Sequence, residues 1–398
     1  MGTVCLCPEP GFLVFSVLIA QLWTVNIGIV LYPTFGGSGV VATELGLELA
    51  DRGHQVHFIS YNQPARIDFF NKNVTFHEVI VPDYPLFDFA PYETALTGKI
   101  VDVALYENLD VLHAHYAIPH ATCAYLAKQI LAAKGKHLPF ITTLHGTDIT
   151  LVGKEPSYVP SVTFAIENSD AVTAVSANLR EETINNFGIK KQIEVIHNFI
   201  NPELYKYSPD KCIRGFAAPG GEKIMMHISN FRPVKRIPDV IHAFDGIRKQ
   251  LPVRLVMVGD GPERAPAERL VRELGLEKDV HFFGKIKHTS DILPCADVFI
   301  LPSDSESFGL SGLEALASSV PVLSTNTGGT PEVQIHGETG FLSTPGDVES
   351  MVRHGVELLS DEARLNRFKA RSLERAMDFT AERIIPQYEV LYRAVLDK

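Results

Sequence analysis

From residue 26 onward, short apolar runs alternate with longer stretches whose apolar residues recur at helical spacing. The short runs predict strands over 27–31, 56–60, 111–114, 140–144, 171–175 and 193–197. Segments between them, such as 40–52 and 121–134, have the spacing of helices that bury one face. A stretch over 201–221, rich in Pro, Gly and charge, reads as a linker. The alternation then restarts, with strands over 223–228, 253–258, 280–283, 298–301 and 321–324. Repeated β-α-β units of this kind predict an α/β protein with two Rossmann-like, doubly wound parallel-sheet domains, 26–204 and 205–380. A last amphipathic helix over 381–398 is expected to pack on either domain, a return onto the first included. Ligands of open parallel sheets bind beyond the carboxyl ends of the strands, so the loops just after strands hold the candidate chemistry. Two such domains facing one another would line a cleft with loops from both.

The N-terminal extension over 1–25 stands outside this pattern. No charged residue occurs between Glu9 and Glu44, which gives 11–32 the apolarity of a membrane span. Residues 26–32 read better as a buried strand, leaving about fifteen residues, roughly 22 Å of helix, against a ~30 Å hydrocarbon core. A signal peptide would need a basic start and an A-x-A site, and a myristoylation signal would need Ser or Thr where Leu6 stands. The extension is therefore expected to be non-functional or to reflect a wrongly assigned start, with a peripheral anchor or targeting segment as alternatives. No stable membrane insertion is expected.

Composition narrows the function classes. The 398 residues are 45% hydrophobic and 21% charged, as in a globular chain of roughly two or three domains. A net charge of −11 disfavours a nucleic-acid partner, which requires surplus Lys and Arg to displace counterions. The 5 cysteines are scattered and form no CxxC, which points to reduced thiols in the cytoplasm. The sequence leaves a homo-oligomer open.

Four loops and one histidine group are the chemical candidates. Gly36-Gly37-Ser38-Gly39 joins the first strand to its helix, either as a tight turn or as a contact for a phosphate or carboxylate at the helix start. It lacks the GxGxxG spacing of a dinucleotide site. The segment 229–236 (SNFRPVKR) places Arg232 and Lys235 after the first strand of the second domain, where they suit a diphosphate or form a solvated face. In 303–316 (SDSESFGLSGLEAL), Glu306 precedes a helix and Glu314 follows about two turns along it. Carboxylates suit sugar hydroxyls, and the backbone of Phe308, Gly309 and Leu310 would offer N–H groups to a phosphate. Paired glycines followed by Pro in 327–332 (TGGTPE) mark a close-approach turn.

His113, His115, His120 and His145 raise zinc, but no HExxH or Cys-His spacing accompanies them. His145, in 142–148 (TTLHGTD), follows a strand and should face the cleft. Neither a GxSxG elbow nor a GxxxxGK[ST] loop occurs, which disfavours a serine hydrolase and a P-loop NTPase. The absence of DxD leaves Arg, Lys and helix dipoles, rather than Mg²⁺, to neutralise a diphosphate.

Together, Glu306-x7-Glu314, the R-x-x-K cations, GGSG and the tandem pattern resemble retaining glycosyltransferases of the GT-B fold with an E-x7-E motif. The strings YPTFGGSGVVATELG, DVLHAHYAIPHA, TTLHGTDIT, HISNFRPVKR, VGDGPE and SESFGLSGLEAL narrow the likeness to the branch that begins bacillithiol biosynthesis. It covers everything from Asn26 to about the C-terminus.

The resemblance implies transfer of N-acetylglucosamine from UDP-N-acetylglucosamine to the hydroxyl of L-malate, with retention and with neither metal nor other cofactor. The nucleotide sugar would bind mainly the second domain and malate the first. Catalysis is expected from Glu306, His145, Lys235 and Arg232. Donor contacts would come from Gly37, Arg232, Lys235, Glu306, Phe308, Gly309, Leu310 and Glu314. Acceptor contacts would come from Ser38, Lys99, Tyr116 and Thr143. The leaving β-phosphate oxygen would itself accept the malate proton in a front-face substitution.

The chain departs from the family pattern at Asn230, where an Arg is usual, and at Ser311 and Gly312, which would loosen the helix by about 1 kcal/mol for the Gly. Alternatives are a sibling transferase with another donor or acceptor, a non-catalytic sugar-nucleotide-binding protein, and a dehydrogenase, which the failed fingerprint disfavours.

Overall fold

The computed structural model describes residues 23–34, 36–68, 70–82 and 88–398. Most of the N-terminal extension expected over 1–25, namely 1–22, lies outside the described residues. Among the described residues no helix is long and apolar enough to cross a membrane.

Among the described residues the first sheet has seven strands: β1 (Asn26–Val30), β2 (Gln55–Ser60), β3 (Val74–Glu78), β4 (Val111–His115), β5 (Phe140–Leu144), β6 (Ala171–Ala174) and β7 (Glu194–Val195). Their spatial order is β3-β2-β1-β4-β5-β6-β7. The second sheet has six: β8 (Lys223–Ser229), β9 (Val253–Gly259), β10 (Val280–Gly284), β11 (Val298–Leu301), β12 (Val322–Thr325) and β13 (Gly340–Ser343), in the order β10-β9-β8-β11-β12-β13. Pairing is parallel, for example Asn26↔Gln55 through Val30↔Ile59 and Lys223↔Val253 through Ser229↔Gly259. Strand order reverses between β1 and β4 and again between β8 and β11, the places where a doubly wound sheet opens a crevice for ligands. The fold class is the α/β, tandem Rossmann-like arrangement read from the sequence.

Two strands escaped the sequence pattern. β3 is a half-buried edge strand with mixed polarity (VTFHE), and β13 is a short GFLS run behind a turn. β7 is also shorter than expected, at 2 residues.

The chain divides into two compact units. One comprises residues up to His115 with Pro119–Ile141 and Val395–Lys398, and the other comprises Tyr116–Ile118 and Thr142–Ala394. Along β8 the side chains alternate between two cores, Met226 joining Leu144, Val258, Phe299 and Phe308, and Met225 joining Phe244, Leu255 and Ile300. The chain leaves the first sheet near Ile200, which bridges Thr380. The final helix, Ala381–Leu396, buries Tyr388, whose hydroxyl bonds Thr143 on β5 and Thr173 on β6.

Close helix–sheet packing depends on a missing side chain at Gly46, in the Ser38–Asp51 helix. A Cβ there would lie 2.3 Å from the buried Phe58 ring on β2. Gly98, within the Tyr92–Tyr106 helix, has nothing within 4 Å of its Cβ position. Gly46→Ala should therefore destabilise by about 1–3 kcal/mol. Gly98→Ala should stabilise by about 0.5–1 kcal/mol, because only helix propensity changes. Urea unfolding of the two variants should move in opposite directions, and a shared direction would refute this account of the packing.

Candidate active site

The loop after β8 is set by a chain of hydrogen bonds. His227 is fully buried, with Nδ1 2.8 Å from the Ile300 carbonyl and Nε2 2.7 Å from Ser229 Oγ. Burial drives its pKa down to about 4, so the ring is neutral. Its Nδ1–H must then donate to the carbonyl, and Nε2 must accept from the Ser229 hydroxyl, whose oxygen accepts the Phe231 N–H. Left-handed backbone at Phe231 (φ 38°) and Arg236 (φ 50°) folds the segment sharply around Arg232–Lys235. Gly259 and Gly261 of VGDGPE back this loop, since a Cβ on them would lie 1.8 Å from the Ser229 carbonyl and 2.1 Å from that of Asn230.

The loop after β11 is tied to it at three points. The Asp304 N–H donates to the Val234 carbonyl, Arg236 Nη1 reaches Asp304 Oδ1 at 2.9 Å, and Lys235 Nζ lies 2.5 Å from Glu306 Oε1. The same Glu306 oxygen accepts from Ser303 Oγ at 2.7 Å. Arg232 is exposed, and among the described residues no ion pair engages it. Gly309 (φ 84°) turns the chain into the Leu310–Ala317 helix with no side-chain cap, so the first amides of that helix have no side-chain acceptor. Phe308 is buried beside His197 and Phe379, which leaves only its backbone for a ligand. Glu314 lies within the helix, and its carboxylate accepts from Tyr205 Oη at 2.9 Å. Gly312 makes room for Gln334, whose Nε2 would be 3.1 Å from a Cβ there.

On the first sheet, Gly37 (φ 57°, ψ −127°) has a backbone conformation natural only to glycine and opens the Ser38–Asp51 helix without a side-chain cap. The space at Gly36 and Gly37 is open, whereas a Cβ on Gly39 would lie 2.5 Å from the Tyr32 carbonyl. Tyr116, just after β4, is held at φ 94°, its N–H donates to the Thr143 carbonyl, and its ring lies 5.3 Å from that of His145. Thr143 itself is fully buried, 2.7 Å from Thr173 Oγ1 and bonded to Tyr388. Lys99 is half-buried on the Tyr92–Tyr106 helix, close enough for its charge to act on His77.

Asp148 organises the two loops that carry Tyr116 and His145. Its carboxylate accepts from the Ala117 N–H (2.9 Å) and the Gly146 N–H (3.0 Å). His113 and His115 stack at 4.4 Å and His120 is buried, but these histidines form no group with metal-ligand spacing among the described residues.

The His145 and Glu306 loops meet at Ser307. A Cβ on Gly146 (φ 118°) would lie 1.6 Å from Ser307 Oγ, and one on Gly329 2.4 Å from the Ser307 carbonyl. That carbonyl accepts from Ser176 Oγ at 2.6 Å. Glu332, closing TGGTPE, accepts from the Ala177 and Asn178 amides at 2.8 and 2.9 Å and lies 3.1 Å from His197 Nε2. Burial pushes its pKa up, but the His197 bond and the two amides outweigh it and hold the carboxyl below its usual range.

Sequence reading missed Tyr205, Ser303, Ser307, His227, Asp148 and Glu332. The TTLHGTD and TGGTPE strings held a signal for the last two, because an acid beside a glycine turn is a common acceptor for loop amides.

Paired loops of this kind on two tandem Rossmann-like sheets define a glycosyltransferase of the GT-B class, and the comparisons agree. The family model "Glycosyl transferases group 1" matches residues 210–375, and "Glycosyltransferase Family 4" matches 35–204. Sucrose-phosphate synthase from Thermosynechococcus elongatus shares the fold, with TM-score 0.77 at 21% identity over 94% of this chain and 99% of that one. Anabaena HepE in complex with UDP and glucose does likewise, with TM-score 0.76 at 21% identity over 93% and 99%. Over 373 residues the chain is 45% identical to the N-acetyl-α-D-glucosaminyl L-malate synthase of Bacillus anthracis, covering 93% of this chain and 97% of that enzyme. The chain belongs to that family of glycosyltransferases.

Asp148 gives the site a pH signature. Burial raises its pKa from 3.8 to about 6, against the pull of its backbone donors. A raised carboxyl pKa means that the folded state holds a proton the unfolded chain releases, so this group's contribution falls as pH rises from about 4 through about 6. Relative to Asp148→Asn, the unfolding free energy of the parent protein should drop across that window by something on the order of 3 kcal/mol. Parallel pH dependences in urea titrations of the two proteins would contradict this.

Proposed function

We propose that the chain transfers N-acetylglucosamine from UDP-N-acetylglucosamine to the hydroxyl of L-malate with retention at the anomeric carbon, and that it does so in the cytoplasm without a metal. The observation that carries the transfer chemistry is Lys235 paired with Glu306 at the carboxyl ends of β8 and β11, beside uncapped helix amides. The choice of substrates rests on the 45% likeness to the malate synthase.

In this reading Lys235 swings from Glu306 to the diphosphate as the donor arrives, and Arg232 joins it. The helix amides around Phe308, Gly309 and Leu310 take a phosphate, and Gly37 contributes its open backbone. Glu306, released from the lysine and steadied by Ser303, accepts from sugar hydroxyls, while Glu314 accepts from the ribose, oriented by Tyr205. His145 donates to a sugar hydroxyl near the reacting carbon. Tyr116, Ser38 and Lys99 bind malate. Thr143 contributes through its carbonyl, which fixes Tyr116, because its hydroxyl is already committed to Thr173 and Tyr388.

As the glycosidic bond to UDP lengthens, negative charge grows on the β-phosphate. Fixed cations and amides stabilise that charge without reorganising. The same oxygen takes the malate proton as its hydroxyl attacks from the side the diphosphate leaves, so no enzymic base is required. The absence of DxD supports neutralisation by side chains and amides rather than by a metal.

Because its charge is needed most as UDP departs, Lys235→Ala should lower kcat by roughly 10²–10³-fold. An unchanged kcat with only a raised donor KM would assign Lys235 to uniform binding instead.

UDP release in the presence of EDTA, with L-malate compared against D-malate, glycerol phosphate and inositol phosphate, tests the substrate reading. L-malate should be the preferred acceptor, EDTA should have no effect, and Tyr116→Phe should raise the malate KM about ten- to a hundredfold with the donor KM unchanged. Preference for another acceptor would point to a sibling transferase, and no turnover with any acceptor would favour a sugar-nucleotide-binding protein.

A further inference from the structure

β2 and β3 pair in parallel with His57 opposite Thr75 and Ile59 opposite His77. Parity then places His57 and His77 on the same face of the sheet, diagonal to one another. Their rings are nearly parallel, 29° apart with centroids 5.3 Å apart, and His57 Nδ1 lies 3.1 Å from His77 Nε2. Glu107, the C-cap of the Tyr92–Tyr106 helix, brings a carboxylate oxygen to the pair, and all three ligand atoms lie within 4.8 Å of one another. Its position is fixed from the backbone side, since Asn26 Nδ2 donates to the carbonyls of both Glu107 and Asn108.

Two imidazole nitrogens so placed have a chemistry that a simple hydrogen bond does not exhaust. Zinc at its usual 2.0–2.1 Å from nitrogen sets neighbouring tetrahedral ligands about 3.3 Å apart, close to the observed separation. Metal binding needs neutral imidazoles. Burial lowers the pKa of both rings, with His77 adding to the effect on His57, and Lys99 adding to that on His77 against the pull of Glu107. His57 is buried, His77 half-buried and Glu107 exposed, so the carboxylate is free to close onto an ion while a water completes the shell from the solvent side.

We propose that His57, His77 and Glu107 form a binding site for one Zn²⁺ ion, fastening edge strand β3 to β2 and to the end of the Tyr92–Tyr106 helix. The role is structural, and none of the three ligands is assigned to sugar transfer, although Lys99, proposed above to bind malate, lies near enough to act on His77. Lys99 opposes the ion's charge and keeps the affinity below that of a closed four-ligand site.

The full-length chain, freed of any purification tag and dialysed against a chelator, should bind one Zn²⁺ per chain by calorimetry and gain in Tm when the ion is added. Glu107→Gln changes an exposed side chain and should fold as the parent does, as circular dichroism can verify. Glu107→Gln and His77→Ala should each weaken Zn²⁺ binding by more than the roughly 10–100-fold that loss of an outer-shell partner costs, and each should lose the Tm gain. Substoichiometric binding by the parent protein, or parental affinity in either variant, would overturn the site and leave His57 and His77 as a hydrogen-bonded pair.

Discussion

The backbone at Glu306 and Ser307 is the constraint on which the site depends. Gly328 and Gly329 approach it more closely than any side chain would allow, and Gly146 is seated just as tightly on the Ser307 side chain. Two of these are in left-handed backbone, at φ 118° and 60°, so both shape and clearance call for glycine there. The consequence is that the carboxylate proposed to meet the sugar is placed by main-chain contact, and the loop of the histidine proposed to act beside it by a glycine seated on the short Ser307 side chain, rather than by long side chains. Main-chain contact loses little entropy on ordering and gives a site rigid enough for positioning to contribute to catalysis.

Two carboxylates, Asp148 buried and Glu332 half-buried, extend the same logic outward. Asp148 collects one amide from its own loop, Gly146, and one from the distant Ala117, while Glu332 collects the adjacent amides of Ala177 and Asn178 from a segment far away in sequence. They differ in electrostatic outcome. Glu332 has His197 as a partner and is held below the usual carboxyl range, whereas Asp148 has only amides and rises to about 6. Backbone donors alone do not offset full burial of Asp148, whereas the half-buried Glu332 loses less hydration and gains an imidazole partner besides its amides.

Much of this was legible from the chain alone, because apolar runs of a parallel sheet are buried on both faces and stand out against helical spacing. The strands bearing the site loops, β1, β4, β5, β8 and β11, fell where the runs predicted them. β3 and β13 did not register, since an edge strand with a mixed VTFHE sequence and a four-residue GFLS strand lack that contrast. Among the candidate site residues, Gly37, His145 and Glu306 were read from loops marked by glycine, and Arg232 and Lys235 from charge directly after a strand. Tyr205 was silent because its bond to Glu314 spans 109 residues and only tertiary structure reveals it. Gly312, read as a weak point in its helix, instead clears space for Gln334, which in turn holds Ser324 at 2.7 Å.

The return of the final helix has a consequence for how the protein is made. Thr143 and Thr173, on the adjacent strands β5 and β6 of the first sheet, share hydrogen bonds with the hydroxyl of Tyr388, far along the chain. During translation the ribosome releases β5 and β6 more than two hundred residues before the side chain that covers them. The nascent first sheet therefore emerges with one stretch of its surface unclad, and it stays so while the whole second sheet is synthesised. Completion of this stretch of the first sheet therefore waits for the segment around Tyr388, so the order of packing differs from the order of synthesis.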